Sequence, residues 1–375
     1  MKLRVLLFIG ILFFSFTTVN AQGLFKRYIN SIVMDTSDIT RPQFLIYPTL
    51  AFAPETSWEI GLSSLFVYYA NRDTTNRLSE INGFSFVTLE NQFGIWFDHA
   101  LYSDQNEWLF MGRLRIQSFP LLYHGIGPNT PEDYLARVDA NQIMIRERVL
   151  RKIGKNLFFG GQADFQRTSA VNFIPRTEDS LVELPLGAAG SDNLGLGLGL
   201  VYDSRHNVLN VRDGLFSELA FLRYSFASTF TFTNITTDNR IYRPMGESNV
   251  LAAQLLGQFN FGNVPFNQLA LLGGESIMRG YYFGRYRANH QIASQVEYRF
   301  LPLKLGFTDR IGAAVFGGAG TVFNDFRGFS IDNFVWSGGA GLRFLLFPKK
   351  DIYTRFDIAF TNEGRGVYIF IGEAF

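Results

Sequence analysis

Polar and apolar residues alternate with a period of two along most of the chain. Between Lys350 and Thr361, Asp351, Tyr353, Arg355 and Asp357 are interleaved with Ile352, Thr354, Phe356, Ile358 and Phe360. Successive side chains of a strand point to opposite faces, so this segment has one charged and one apolar face. In 107–119, Trp108, Phe110, Leu114 and Ile116 oppose Arg113, Arg115 and Gln117. In 290–301, Ile292, Val296, Tyr298 and Phe300 oppose Gln291, Gln295, Glu297 and Arg299. A soluble sandwich buries its apolar face and keeps isolated charges outside. A large membrane barrel does the reverse, with lipid against the apolar face and a wet lumen against the charged one. Phe356 is thus expected to meet lipid and Tyr353 the lumen.

Sixteen such segments lie near 43–53, 57–69, 81–90, 92–103, 107–119, 137–150, 156–168, 194–205, 214–226, 249–262, 265–273, 290–301, 309–323, 334–347, 350–361 and 366–375. They predict an all-β fold, a transmembrane antiparallel β-barrel of 16 strands. Backbone groups find no partner in lipid, so the sheet has to close. An even count returns both ends to the periplasmic side. Gly262-Asn263, Phe347-Pro348-Lys349 and 151–155 read as short periplasmic turns, and 120–136, 169–193, 227–248 and 274–289 as extracellular loops. The link at 70–80 is long for a periplasmic turn. The closing strands, 43–53 and 366–375, contain Pro48, which cannot donate a ladder bond, and Gly366 and Gly372. A weak seam is expected there.

Composition agrees with a barrel and removes other classes. A net charge of +1 over 375 residues gives no basis for a nucleic-acid partner. Hydrophobic residues, at 47%, are too few for a helical membrane protein but enough where only alternate residues meet lipid. The absence of Cys excludes disulfides and thiolate metal sites. Lys2 and Arg4, the apolar run Val5 to Phe16 and the small-residue site Val19-Asn20-Ala21 read as a signal peptide over 1–21. A periplasmic lead-in over 22–42 follows, then the barrel over 43–375. The lead-in is too short to bury a core of its own. The expected location is the cell outer membrane. His99, His124, His206 and His290 fall in different segments, and no nucleophile elbow or phosphate loop is present. No enzyme activity, catalytic residue, cofactor or metal site is expected.

The segment Gly273-Gly274-Glu275-Ser276-Ile277-Met278-Arg279-Gly280-Tyr281-Tyr282 resembles the Gly-Gly-x4-Arg-Gly-Tyr/Phe signature of BamA/TamA-like barrels. That superfamily includes outer-membrane assembly proteins and two-partner secretion pores. Tyr202-Asp203-Ser204-Arg205-His206-Asn207, followed by Gly214, resembles the family's turn between strands eight and nine. Tyr123-His124-Gly125-Ile126-Gly127-Pro128-Asn129-Thr130 resembles one of its loops, and Pro54-Glu55-Thr56 its first hairpin. The terminal aromatic, Phe375, is also typical of such barrels. The order and spacing of the four motifs, over the chain from about residue 43, make the resemblance specific.

The resemblance implies that the sixth extracellular loop, which follows the eleventh strand, folds back into the lumen. Its Arg279 then meets acidic groups of the inner wall. It implies assembly or translocation of outer-membrane proteins, with lipid, unfolded outer-membrane or secreted proteins and separate periplasmic modules as partners. The alternative is a passive pore or structural protein. In such barrels the first and last strands can part and pair with an incoming strand. Two features depart from the family. The large periplasmic modules that capture clients are absent, and a Phe-x-Asp-x-Gly strand reads Phe316-Gly317-Gly318-Ala319-Gly320.

The residues themselves allow two readings of the loop: an Arg held by a wall carboxylate through a bidentate pair, or a solvated Arg in a glycine-rich surface loop. Glu297 has the parity for the first reading. With Gly318 in place of the acid, Arg279 is expected to depend on Glu297 or to recruit Asp357 or Asp351. Removal of either member of the Arg279–Glu297 pair should be similarly damaging. Gly195, Gly197 and Gly199 share one face, which is either a wall thinned for an inserted loop or a poorly packed strand. Inward Arg113, Arg115, Arg146, Arg148 and Arg343 either bias the lumen toward anions or form internal ion pairs.

Overall fold

The alternation builds a continuous antiparallel wall in the computed structural model, which describes residues 38–375 apart from 54–56, 90–91, 119 and 181–182. The signal peptide, most of the lead-in and Pro54-Glu55-Thr56 lie outside the described residues. The strands are β1 (Gln43–Ala53), β2 (Ser57–Tyr69), β3 (Leu78–Thr88), β4 (Phe93–Tyr102), β5 (Trp108–Ser118), β6 (Leu121–Tyr123), β7 (Ala136–Gly154), β8 (Leu157–Pro175), β9 (Ser191–Asp203) and β10 (Gly214–Tyr224). They continue as β11 (Phe232–Met245), β12 (Asn249–Gly262), β13 (Ala270–Leu272), β14 (Tyr286–Ala288), β15 (His290–Phe300), β16 (Ile311–Phe323), β17 (Val335–Phe347), β18 (Ile352–Thr361) and β19 (Gly364–Ile371). Seventeen of them form one sheet, while β13 and β14 pair only with each other. β5 and β6 both pair with β7, so together they are one stave of the wall. The wall therefore has sixteen staves, each antiparallel to its neighbour in the chain.

The count of sixteen survives two errors that cancel. Residues 265–273, read above as a wall strand, belong to a loop, and only Ala270–Leu272 is extended, in the ribbon with Tyr286–Ala288. Residues 232–245, read as loop, are the wall strand β11, paired with β10 and β12 along its length. Gly262-Asn263 is consequently the start of the extracellular loop 263–289 rather than a periplasmic turn. The last strand also stops early, at Ile371.

The faces follow the alternation. Val296 is 50% exposed and Phe356 37%, whereas Glu297 and Tyr353, on the opposite face of the same strands, are at 0% and 1%. Apolar side chains outside and charged ones inside are the arrangement of a barrel in lipid. Among the described residues no helix is long and apolar enough to cross a membrane.

Along the wall, neighbouring staves are joined by ladders, but none is found between β1 and β19 among the described residues. The two edges still come together at the periplasmic end. Leu45 of β1 and Ile371 of β19 belong to one apolar cluster with Leu209, Phe347 and Ile352. The Lys350 ammonium donates to the main-chain oxygens of Ile39, at 2.7 Å, and Arg41, at 3.2 Å.

Leu209 lies in the segment 204–213, between β9 and β10, about half a circumference from β1. That segment therefore crosses beneath the lumen as a floor. Val211 packs against Tyr242 and Val250, and Arg212 pairs with Asp351 at 2.7 Å. The long link before β3 serves the same floor. Its Arg77 donates to Asn156 Oδ1 at 2.8 Å and to the main-chain oxygen of Asp203.

Candidate functional site

Loop 263–289 rises from β12 and doubles back through the β13–β14 ribbon, which carries its tip into the lumen. The tip needs positive φ at Gly273 (114°) and Gly280 (105°), a region that side chains with a Cβ rarely adopt. A Cβ on Gly273 would also collide with the main-chain oxygen of Tyr282, and one on Gly280 would lie 2.7 Å from Thr361 Cγ2. Gly274 adopts positive φ as well. The apolar side of the tip, Ile277, Met278 and Tyr281, packs with Leu272, Ala293 and Val322.

Arg279 is then held on three sides. Its Nη2 donates to Glu297 Oε2 at 2.6 Å and its Nη1 to Asp357 Oδ2 at 2.6 Å. Its guanidinium lies 3.4 Å from the centre of the Phe316 ring. All three charged side chains are 0% exposed. A lone buried charge is prohibitive, so the arrangement persists only as a network. Glu297 Oε1 accepts from Arg299 Nε at 2.8 Å and from Arg343 Nη2 at 3.2 Å. Asp357 accepts from Arg343 at 2.6 Å and Arg355 at 2.8 Å. Arg355 also donates to the Glu275 main-chain oxygen at 3.1 Å, fixing the loop a second time.

Gly318 has a part in this geometry. Its missing side chain leaves room for Met278: a Cβ there would lie 3.0 Å from Ser294 O and 3.5 Å from Met278 Sδ. Gly318 brings no acid to Arg279, and Asp357, from β18, supplies the second carboxylate. Asp351 lies in the floor instead, with Arg212.

Toward the extracellular end the loop is fastened to the last hairpin. Gly280 N donates to Tyr368 Oη at 2.9 Å, and Tyr281 Oη bonds Asn362 Oδ1. Burial, with the Glu363 charge nearby, pushes the Tyr281 hydroxyl up to about 12. Arg285 makes a two-point pair with Glu363, at 2.5 and 2.8 Å. From the other side, loop 124–131 closes over the ribbon. Gly127 N donates to Arg287 O at 2.8 Å, and Arg285 Nη1 donates to Thr130 Oγ1 at 2.8 Å. The motif of residues 123–130 is therefore in contact with the part of loop 263–289 that follows the Arg279 motif.

The Tyr202-to-Gly214 motif lies elsewhere, in the floor. Asp203 accepts from the main-chain N and Nε of Arg205, each at 3.0 Å, and from Tyr102 Oη at 2.6 Å. Arg205 stacks 4.2 Å from the centre of the Phe216 ring. Asn207 Nδ2 donates to Lys350 O at 2.8 Å, while Gly214 turns the chain at φ 120°. Tyr202 pairs in register with Leu157 and Ser217. Phe375 is buried in the floor against Val211 and Tyr242 rather than ending a wall strand.

The glycines of β9 thin the wall for their neighbours, not for the loop. Gly195 accommodates the Tyr224 ring and Gly199 the Arg148 side chain. The inward arginines are ion-paired. Arg113 and Arg115 share Asp98, Arg146 pairs with Asp164, and Arg148 with Glu218. Among the described residues no three His, Asp or Glu side chains converge as a metal set. Parity marks Arg299, Arg343 and Arg355 as inward but cannot show that they converge. Glu373 and the Asn362-Glu363 turn had no signal of their own.

A family model described as the Omp85 superfamily domain matches residues 139–375. The structure resembles that of BamA from Haemophilus ducreyi lacking POTRA domains 1–3, with a TM-score of 0.56 and 13% identity over 88% of this chain and 69% of that one. It also resembles CdiB from Acinetobacter baumannii, with a TM-score of 0.53 and 10% identity over 88% of this chain and 65% of that one. No curated protein matches the sequence.

Proposed function

Because the chain belongs to the Omp85 superfamily and is an outer-membrane β-barrel, we propose that it takes part in the assembly or translocation of outer-membrane or secreted proteins. The observation that carries this reading is the edge between β1 and β19. These two strands close the barrel, and they meet at the periplasmic end through Leu45 and Ile371. A strand edge that comes free is a template for an incoming strand. Pro48 in β1 weakens that edge further, because it has no N–H to give.

A passive pore is supported less well. Loop 263–289 fills part of the lumen, and the segment 204–213 runs beneath it. The periplasmic turns form the face on which separate modules would dock, and pull-down from solubilised outer membranes tests for them. Depletion of the protein followed by a census of the outer-membrane proteome tests the main reading. Selective loss of a subset of barrels or exported proteins is expected. An unchanged census, together with open-channel conductance of the purified barrel in planar bilayers, would replace assembly with the pore reading.

A further inference from the structure

β19 does not run on to the end of the described chain. Gly372, at φ 84°, turns the next residues back beneath the lumen. Gly372 N donates to Tyr353 O at 2.8 Å and Glu373 N to Leu209 O at 3.0 Å. The turn brings the Glu373 carboxylate to the underside of the ion network. Its oxygens accept from Arg343 Nε at 3.0 and 2.9 Å, and Arg299 Nε lies 3.6 Å away. Phe375 fills the apolar site formed by Val211, Tyr242, Val250 and Ala252, and its main-chain oxygen accepts from Arg299 Nη2 at 3.0 Å.

Arg299 and Arg343 are the same two guanidiniums that share Glu297 with Arg279. Arg279, Glu297, the Arg299–Arg343 pair and Glu373 thus form one unbroken chain of ion pairs. It runs from the loop tip to the segment that follows the closing strand, with every side chain at 2% exposure or less. In a buried network each guanidinium divides its donors among the available acids, so loss of one acid redistributes all the bonds. Coupling through such a contiguous network is reciprocal.

We propose that residues 372–375 are a latch, with Glu373 as its pin, that couples release of the β19 edge to loosening of the lumenal loop. The inference rests on the reading that this edge opens. With Glu373 bound, β19 leaves the wall only by drawing a carboxylate away from two buried guanidiniums. With Arg279 displaced, Glu297 is free to take a larger share of Arg299 and Arg343, and their hold on Glu373 weakens.

The chain has no Cys, so single cysteines report locally. The barrel is reconstituted in phospholipid vesicles and labelled with a water-soluble maleimide at one of three places. These are Ala374→Cys in the latch, Ile277→Cys in the loop tip, and Ala220→Cys on the inner wall as the control. Glu373→Gln is expected to speed labelling at Ile277→Cys, and Arg279→Met labelling at Ala374→Cys, each by about 5-fold or more. Ala220→Cys should stay slow in both backgrounds. The latch is refuted if either substitution affects only its own end, or if all three positions label faster together. Neither result bears on assembly activity, which the depletion census reads separately.

Discussion

Glu297 and Arg279 form one ion pair, yet the structure makes their removal unequal. Glu297 is a hub, in contact with Arg279 at 2.6 Å, Arg299 at 2.8 Å and Arg343 at 3.2 Å. Glu297→Gln deprives three buried guanidiniums of their shared carboxylate at once. Loss of one partner of a buried pair costs about 3–5 kcal/mol, and the hub should lie at the upper end. Arg279→Met is different. Glu297 keeps Arg299 and Arg343, and Asp357 keeps Arg343 and Arg355. No carboxylate is stranded, and the Met stem retains packing on Phe316. Two charge-assisted bonds of about 1.5–3 kcal/mol are lost, offset by the absence of a guanidinium to desolvate on folding and by its partners' remaining bonds. A net cost of about 1–2 kcal/mol remains. The similar damage expected from sequence thus gives way to a gap of about 2 kcal/mol or more. Urea unfolding in vesicles, followed by loss of heat-modifiable gel mobility, measures both variants. If Arg279→Met costs as much as Glu297→Gln, the hub argument is wrong.

Three further outcomes follow from other parts of the barrel. Phe356→Lys puts a charge on the lipid face and should cost about 2–4 kcal/mol near mid-bilayer. Asn82→Lys, beside lumenal Glu80 and opposite Asp98, should cost far less in the same unfolding assay; equal costs would overturn the facing. Gly318→Asp, although it restores the residue of the resembled barrels, should loosen the loop by crowding Met278, and faster maleimide labelling at Ile277→Cys reads this out; slower labelling would show that the space is free. His124 is held down to about 4 from 6.5, first by burial and then by the Arg285 charge. The folded loop therefore resists protonation. Its stability is intact above pH 6.5 and declines as pH falls toward 4. Exchange of the Gly127 amide, corrected for intrinsic rate, should speed up over that window in the native protein and not in His124→Gln.

How far the fold was legible depended on where apolar residues go. The strand 290–301 was clear because one face meets lipid and the other a charged lumen. β11 was hidden because its outer face is partly polar. Thr237 and Asn239 satisfy each other there at 2.9 Å, and Asn239 takes a bond from Ser217 at 2.6 Å. Such pairs remove the alternation without removing the strand. Residues 265–273 misled for the opposite reason. Phe266, Leu269, Ala270 and Leu272 are apolar because they are buried, three of them in clusters with residues of the barrel wall. A run of that length reads the same whether lipid or protein covers it. The latch was illegible for a third reason. Phe370-Ile371-Gly372-Glu373-Ala374-Phe375 continues the pattern of β19, and only the positive φ at Gly372 breaks it.

The position of the second acid bears on how loop and seam are related. In the motif that the sequence resembles it stands at the position of Gly318, on β16, which is separated from β19 by β17 and β18. Here it is Asp357, on β18, which pairs directly with β19. A buried guanidinium requires compensating charge but not charge from a given strand, so Met278 can take the vacated space while Asp357 answers Arg279. The exchange changes what the loop grips. Through Asp357, Tyr368, Asn362 and Glu363 it holds the last hairpin at several heights. On the other side of the seam, β1 pairs with β2 over its whole length. If the edge parts, the loop's ties to β18 and the last hairpin hold the β19 lip. β19 follows only when the loop and Glu373 release their acids and bases together.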